Sequence, residues 1–296
     1  LTDLAWLFLF QLALTKATPL LLASTGGLLS ERSGIINIGL EGMMLAGAFG
    51  SIVGAHYTGS PWIGALAGAV AGACLGAIHA VWSIRFWSDQ IISGTAVNLL
   101  AVGGTGYLLP VLFGVRGSSP GVDKLPMLGF GSIAFHPTVY LSLLLVLLVG
   151  YIVFRTRWGL RLRAAGERPE TLLAAGLSVE EIRYLAVVLS GALAGLAGAH
   201  LALADLSQFV ERMTAGRGFI ALAALIVGKW RPAGVLYACL AFGLAEAIAD
   251  SFQGYGTGIP SQVFLVLPFI LTMLALAGFI GRSNPPAALG QSLRNG

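Results

Sequence analysis

Asn37 and Glu41 stand four residues apart in an otherwise apolar, glycine-rich stretch, a spacing that would set both side chains on one face of a helix. Glu246 and Asp250 repeat that spacing in a later apolar run, and Asn98 is isolated inside another. Polar groups in such runs are costly, because a charge at the centre of a hydrocarbon layer is disfavoured by about 2.5–3.5 kcal/mol even on the lenient insertion scale. Each therefore either hydrogen-bonds a neighbouring helix or lines a polar path. For Asn37 and Glu41 both uses stay open, whereas Glu246 and Asp250, near the end of their run, fit an interfacial position. Catalytic patterns are absent: the sequence has no GxxxxGK[ST] phosphate loop, no complete GxGxxG after a strand, no HExxH and no His/Cys group at metal-ligand spacing. His56, His79, His136 and His200 fall in separate segments, and Cys74 and Cys239 sit singly in apolar runs, where they read as packing. If the chain drives anything uphill, the energy-releasing chemistry belongs to another chain.

A second informative segment runs from Gly166 through Glu167 and Arg168 to Glu181. Pro169 suits a first helical position, Glu170 complements the positive helix start, and Gly176 fits the residue just past the end, so a helix of about two turns is predicted here. Ser178 and Glu181 then form an SxxE capping box that opens the next helix. A two-turn helix with its own start and stop, carrying Leu173 between them, is either a connector or a docking element for a partner.

These residues need elements to hold them, and composition says what kind. The chain is 56% hydrophobic and only 10% charged, with mean hydropathy +0.85, whereas soluble domains carry about 25% charged residues. Apolar runs near 4–29, 35–55, 61–82, 91–113, 138–154, 184–204, 217–229, 233–250 and 262–281 give nine candidate spans. The run 217–229 is short enough for a half-helix or re-entrant segment, and the first run carries Lys16 and Pro19 in its middle. The expected fold is thus all-α, a polytopic transmembrane bundle of about eight to nine spans forming one domain over 1–296, with a short helix at its surface. Because the chain opens on Leu1, a start residue or leader ahead of it is allowed for; a single cleavable signal peptide does not explain apolar runs that recur throughout.

Twelve of the 17 Lys and Arg residues fall in loops on one side, six of them within 155–183, and four on the other, which makes 155–183 and the C-terminus cytoplasmic. The Gly/Pro/Ser-rich loop 114–137 then faces outward, and nine crossings would leave the N-terminus outside. Among the 41 glycines, Gly64, Gly68, Gly72 and Gly76 recur every fourth residue, and Gly191, Gly195 and Gly198 form a similar face. Such stripes let helix backbones approach closely.

At this point the sequence resembles a known family. The stretch from Glu31 to Phe49, ERSGIINIGLEGMMLAGAF, is similar to the N-terminal signature of permease subunits from the ATP-binding cassette (ABC) importers of branched-chain amino acids, ribose-type sugars and nucleosides. RLRAAGERPE at 161–170, SGALAGLAG at 190–198, MTAGRGFIALA at 213–223 and GKWRP at 228–232 follow in the family's order. The GRGFIALA core and the LEGMM variant look most like the nucleoside and simple-sugar branch. One departure is Arg168, where the family commonly has asparagine.

The resemblance implies that Gly166, Glu167, Pro169, Glu170, Leu173 and Gly176 form the coupling element that docks on the ATPase. It adds Met44 and Phe219 to Asn37, Glu41 and Asn98 as pathway candidates. It also implies a cytoplasmic ABC ATPase carrying ATP and Mg, with no cofactor on this chain. Further partners would be an extracytoplasmic solute-binding protein, a homologous second permease forming a heterodimer, and the lipid of a bacterial inner membrane, with no nucleic acid polymer. An ion-gradient-driven carrier using Glu41 or Glu246, and a membrane scaffold, are the rival classes; the scaffold leaves the short helix without a purpose.

Overall fold

The structure is a computed structural model and is described for residues 2–130, 133–254 and 284–291. In chain order the helices are α1 (Thr2–Arg32), α2 (Leu40–Thr58), α3 (Pro61–Ala80), α4 (Gln90–Phe113), α5 (Pro137–Arg155), α6 (Arg157–Glu167), α7 (Pro169–Ala174), α8 (Val179–His200), α9 (Arg217–Val227) and α10 (Pro232–Gly254). Local chemistry sets many of the boundaries. Pro61, Pro137, Pro169 and Pro232 each open a helix at a position where the missing N–H costs nothing. Asp89 caps α4 by accepting from the Ile91 and Ile92 N–H groups at 2.8 and 3.0 Å. Pro19 is accommodated within a continuous α1.

At the centre of the bundle α2, α3 and α8 meet backbone to backbone. A Cβ placed on Gly198 would lie 1.8 Å from the Met44 carbonyl oxygen, one on Gly72 2.2 Å from that of Gly191, and one on Gly47 2.3 Å from the Gly195 Cα. The two glycine stripes read from the sequence therefore face each other, with α2 closing the third side. α1 packs along α8 and α10, and its Leu20, Leu21 and Leu28 enter a core with Ala186, Ile220, Leu225 and Phe242. Both α3 and α8 end by widening into a π-wound turn, Val81–Arg85 and Leu201–Leu206, each just after a buried histidine. His79 spans from Ser93 Oγ, 2.9 Å from Nδ1, to the Ile36 carbonyl, 3.0 Å from Nε2, and His200 Nδ1 meets Thr138 Oγ1 at 2.6 Å.

The structure bears on three expectations. Among the described residues six helices are long and apolar enough to cross a membrane: Trp6–Arg32, Pro61–Arg85, Gln90–Phe113, Pro137–Arg155, Val179–Leu206 and Pro232–Ser251. α2, with 19 residues, spans about 28 Å at about 1.5 Å per residue, and most of it is buried against other helices. The run 217–229 has the length of the half-helix its shortness suggested: α9 has 11 residues, about 16 Å of helix against a hydrocarbon layer of about 30 Å. The run 262–281 lies outside the described residues, and the described ones do not confirm the expected count of eight to nine. Finally, the bundle is not purely helical: Leu128–Phe130 and Ile133–Phe135 pair as an antiparallel hairpin in the loop before α5.

The two ends of the bundle differ. At the arginine-rich end lie the C-terminus of α1, α6, α7 and the start of α8. Residues 284–291 are held there by Ala288 N–H donating to the Gly166 carbonyl (2.8 Å) and Gly290 N–H to that of Gly34 (3.0 Å). At the opposite end, loop 114–127 lies against 203–211, with Ser119, Val122 and Leu125 N–H groups donating to the Phe209, Ser207 and Leu203 carbonyls at 2.9, 2.9 and 3.1 Å.

Candidate functional site

α9 begins inside the bundle, and its start is where the polar candidates gather. Glu41, one residue into α2, accepts from the Gly216 N–H with Oε1 (2.9 Å) and from the Gly218 N–H with Oε2 (2.7 Å). A carboxylate thus caps the half-helix and meets the positive end of its dipole. Gly218 leaves room for this: a Cβ there would lie 2.5 Å from the Glu41 backbone. Arg217, the first residue of α9, pairs with Glu246 of α10, and Lys16 of α1 bonds Asp250 Oδ2 at 2.7 Å and lies 4.0 Å from Glu246. One polar chain therefore ties α2, α9, α10 and α1 together. Glu246 is largely enclosed in this network, and Asp250 is more exposed.

Asn37 and Glu41 do not share a helix face, because α2 starts only at Leu40 and Asn37 belongs to the break before it. Asn37 points to α8, donating to Ser190 Oγ (2.9 Å) and toward Met43 Sδ (3.6 Å), while its Oδ1 is buried with no hydrogen-bond partner among the described residues. Asn98 of α4 reaches the same break: Oδ1 accepts from the Gly42 N–H (2.7 Å) and Nδ2 donates to the Ile38 carbonyl (3.0 Å). Since the N-cap position Gly39 carries no side chain to do it, Asn98 caps α2 from across the bundle. Met44 is fully buried in the core, whereas Phe219 on α9 is 48% exposed. The spacing rule identified these residues as important but could not supply their partners, which lie up to 177 positions away.

The surface helix follows the sequence closely. The Leu177 N–H donates to the Leu172 carbonyl (2.9 Å) and the Gly176 N–H to that of Leu173 (3.0 Å), with Gly176 at φ +71°. This is the Schellman closure. Ser178 Oγ accepts from the Glu181 N–H at 3.2 Å, opening α8. Pro169 and Leu172 turn inward, whereas Glu170, Thr171 and Leu173 face out, Leu173 at 59% exposure. Gly166 and Glu167 belong to α6 and anchor rather than display the element: a Cβ on Gly166 would lie 2.3 Å from the Arg32 carbonyl oxygen, and Glu167 Oε1 is 3.7 Å from Arg32 Nη1.

Sequence reading missed the contacts that seat this element. Trp230 Nε1–H donates to Glu31 Oε2 (2.5 Å), and Arg32 donates through Nε and Nη2 to the Trp230 carbonyl (2.9 and 2.6 Å). Arg183 is buried and donates to the carbonyls of Ser33 (3.0 Å), Ala165 (3.2 Å) and Gln291 (3.3 Å). The RSG and GKWRP motifs were the available signals. Among the described residues no group of His, Cys, Asp and Glu could hold a metal ion.

A bundle of membrane-crossing helices with a broken polar interior and a self-contained surface helix is the build of a multi-pass membrane permease. The sequence profile described as "Branched-chain amino acid transport system / permease component" matches residues 9–276, and the chain belongs to that family. It is 40% identical to the guanosine ABC transporter permease protein NupQ of Bacillus subtilis, over 94% of this chain and 93% of that one. It is 38% identical to the nucleoside ABC transporter permease protein NupC of Lactococcus lactis over the same shares, 94% and 93%. Against the putative glucose ABC transporter permease protein TsgC13 of Haloferax volcanii the identity is 40%, covering 81% and 76%. A solved structure, an inward-facing conformation of a putative metal-chelate type ABC transporter, shares the fold with TM-score 0.53 at 16% identity, over 90% of this chain and 84% of its own. The chain is a permease subunit of an ABC importer, a transport component and not an enzyme. Membership in the family implies an ATPase and a substrate-binding protein as partners.

Proposed function

We propose that this subunit forms part of the path for a nucleoside across a bacterial inner membrane, as one permease domain paired with a homologous second permease in a heterodimer. The observation that carries the reading is identity of 40% and 38% to guanosine and nucleoside permeases over 94% of the chain. α7 docks on the cytoplasmic ATPase through Glu170 and Leu173, and ATP with Mg is bound there, not on this chain. The exposure of Phe219 at 48% supports placing it on the path. Glu41 and Asn98 hold the ends of α9 and α2 beside it, and Asn37 and Met44 brace the wall behind. No charged group is required to meet a nucleoside, whose recognition rests on stacking and hydrogen bonds.

The test is uptake into proteoliposomes holding both permeases and the ATPase, with the binding protein supplied from the binding-protein side. Labelled guanosine should accumulate only with ATP, and unlabelled nucleosides but not glucose should compete. Competition by glucose alone would favour a sugar, the reading that the Haloferax relative supports. Uptake that ignores ATP and collapses with an uncoupler would point instead to an ion-driven carrier.

A further inference from the structure

The arginine-rich end contains a joint that docking of α7 does not by itself require. Arg32 is shared between two bodies. Its Nε and Nη2 grip the Trp230 carbonyl at 2.9 and 2.6 Å, while its Nη1 faces Glu167 of α6 at 3.7 Å. Its backbone oxygen is the floor on which Gly166 sits, with no room for a Cβ between them. Glu31, one residue earlier, takes the Trp230 indole N–H at 2.5 Å, so the tryptophan is held from both its backbone and its ring, and it is 4% exposed.

The turn so held is unusual. Lys229 and Trp230 lie at φ +55° and +52°, two successive non-glycine residues in the left-handed region, which persists only where surrounding contacts over-determine it. Gly228 closes the turn against Gly234 and Val235, where a Cβ would meet the Val235 nitrogen at 2.5 Å. Upstream of the turn is α9, about three helical turns long, whose far end is the Glu41-capped start beside Phe219. A short helix held at both ends passes on displacement, since packed elements shift as units rather than deform.

We propose that Glu31 and Arg32 are positioning residues for transport: they join the ATPase-facing unit α6–α7 to α9, so that movement imposed at α7 reaches the interior end of the half-helix. This rests on the reading of α7 as the ATPase contact. The pair therefore sets how much solute moves per ATP hydrolysed, not whether the complex assembles.

The experiment uses the full transporter in proteoliposomes and compares Arg32→Lys, Trp230→Phe and Glu31→Gln. Lysine keeps the charge facing Glu167 but lacks the planar fork that donates twice to one carbonyl; phenylalanine removes the indole donor; glutamine keeps an oxygen to accept from it. Arg32→Lys and Trp230→Phe should co-purify with the ATPase at wild-type stoichiometry and lower the solute-to-ATP ratio by about fivefold or more, with Glu31→Gln close to wild type. In a chain lacking Cys74 and Cys239, the thiol reactivity of Phe219→Cys should respond to ATP, and adding Arg32→Lys should abolish the response. An unchanged ratio and response in Arg32→Lys would overturn the proposal, as would loss of the ATPase from that variant, which would make the pair part of docking. The docking reading fails separately, if Leu173→Pro still retains the ATPase. Should Trp230→Phe not reach the membrane, Arg32→Lys decides the matter alone.

Discussion

Glu41 satisfies two backbone N–H groups at the start of α9, and its charge there opposes the positive end of the helix dipole. Glu41→Gln retains an acceptor, whereas Glu41→Ala leaves enclosed donors without one, at a cost of about 0.5–2 kcal/mol for a lost cap. Uptake at matched membrane abundance should therefore fall further in Glu41→Ala than in Glu41→Gln, and equal uptake in both would show that the cap does not position α9. Arg217 and Glu246 give a second test at this scale. Removing one partner, as in Arg217→Met, leaves the enclosed Glu246 carboxylate with only Lys16, 4.0 Å away, and should cost up to about 3 kcal/mol, while Arg217→Met with Glu246→Leu should recover most of it. Thermal unfolding midpoints in detergent would separate the two. The sequence marked Glu41 and Glu246 as residues an apolar run would not carry without reason. It could not name their partners, because pairing across 175 and 29 residues is decided by packing and leaves no local period.

Among the elements, α7 was legible almost to the residue, since caps act within four positions and their chemistry is local. Pro169 opens it and Gly176 closes it as the residue types require. Leu173→Pro removes a bond and clashes with the preceding turn, at about 3 kcal/mol or more; it should insert normally and lose both the ATPase and uptake, as judged by co-purification. Gly176→Val must adopt φ +71° with a branched side chain, a penalty of about 1–2 kcal/mol, and should show a partial loss in the same assay. The glycine stripes on α3 and α8 were equally visible, but a stripe does not say what it touches. That α2 supplies the third backbone, through Gly47 and Met44, needed the structure. α9 was recognised as short from its length, whereas the break before α2 was hidden, because Gly34 to Gly39 is as apolar as the helix it precedes.

For the whole molecule, the sequence distribution of Lys and Arg gives an orientation, and the structure shows which loop residues can report it. Ser119 is buried, its Oγ accepting from the Phe209 N–H at 2.9 Å, so it is a poor labelling site; Asp123 in the same loop is exposed. Asp123→Cys should react with an impermeant thiol reagent on intact cells, and Thr171→Cys only after the membrane is opened. Reaction of Thr171→Cys in intact cells would invert the topology. The helical class and the order of segments were readable from composition and run length. The number of crossings is harder to read, because a half-helix and an enclosed α2 each blur the relation between hydropathy and span.

The cap on α9 also bears on how the chain is made. Glu41 enters the membrane with α2, but the N–H groups that receive it belong to residues 175 and 177 positions later. At about 5–20 residues per second, synthesis leaves that carboxylate waiting on the order of 10–30 s. During the interval α2 holds an unmatched charge near its start and cannot settle into its final depth. A nascent chain stalled before Met213 should keep a cysteine in place of Leu40, with Glu41 retained, open to aqueous thiol reagents, and one released after Val227 should bury it, as Leu40 is buried in the finished fold. The last third of the sequence thus completes the insertion of the second helix, and truncations there should be cleared by quality-control proteases even though every earlier apolar helix has already been threaded.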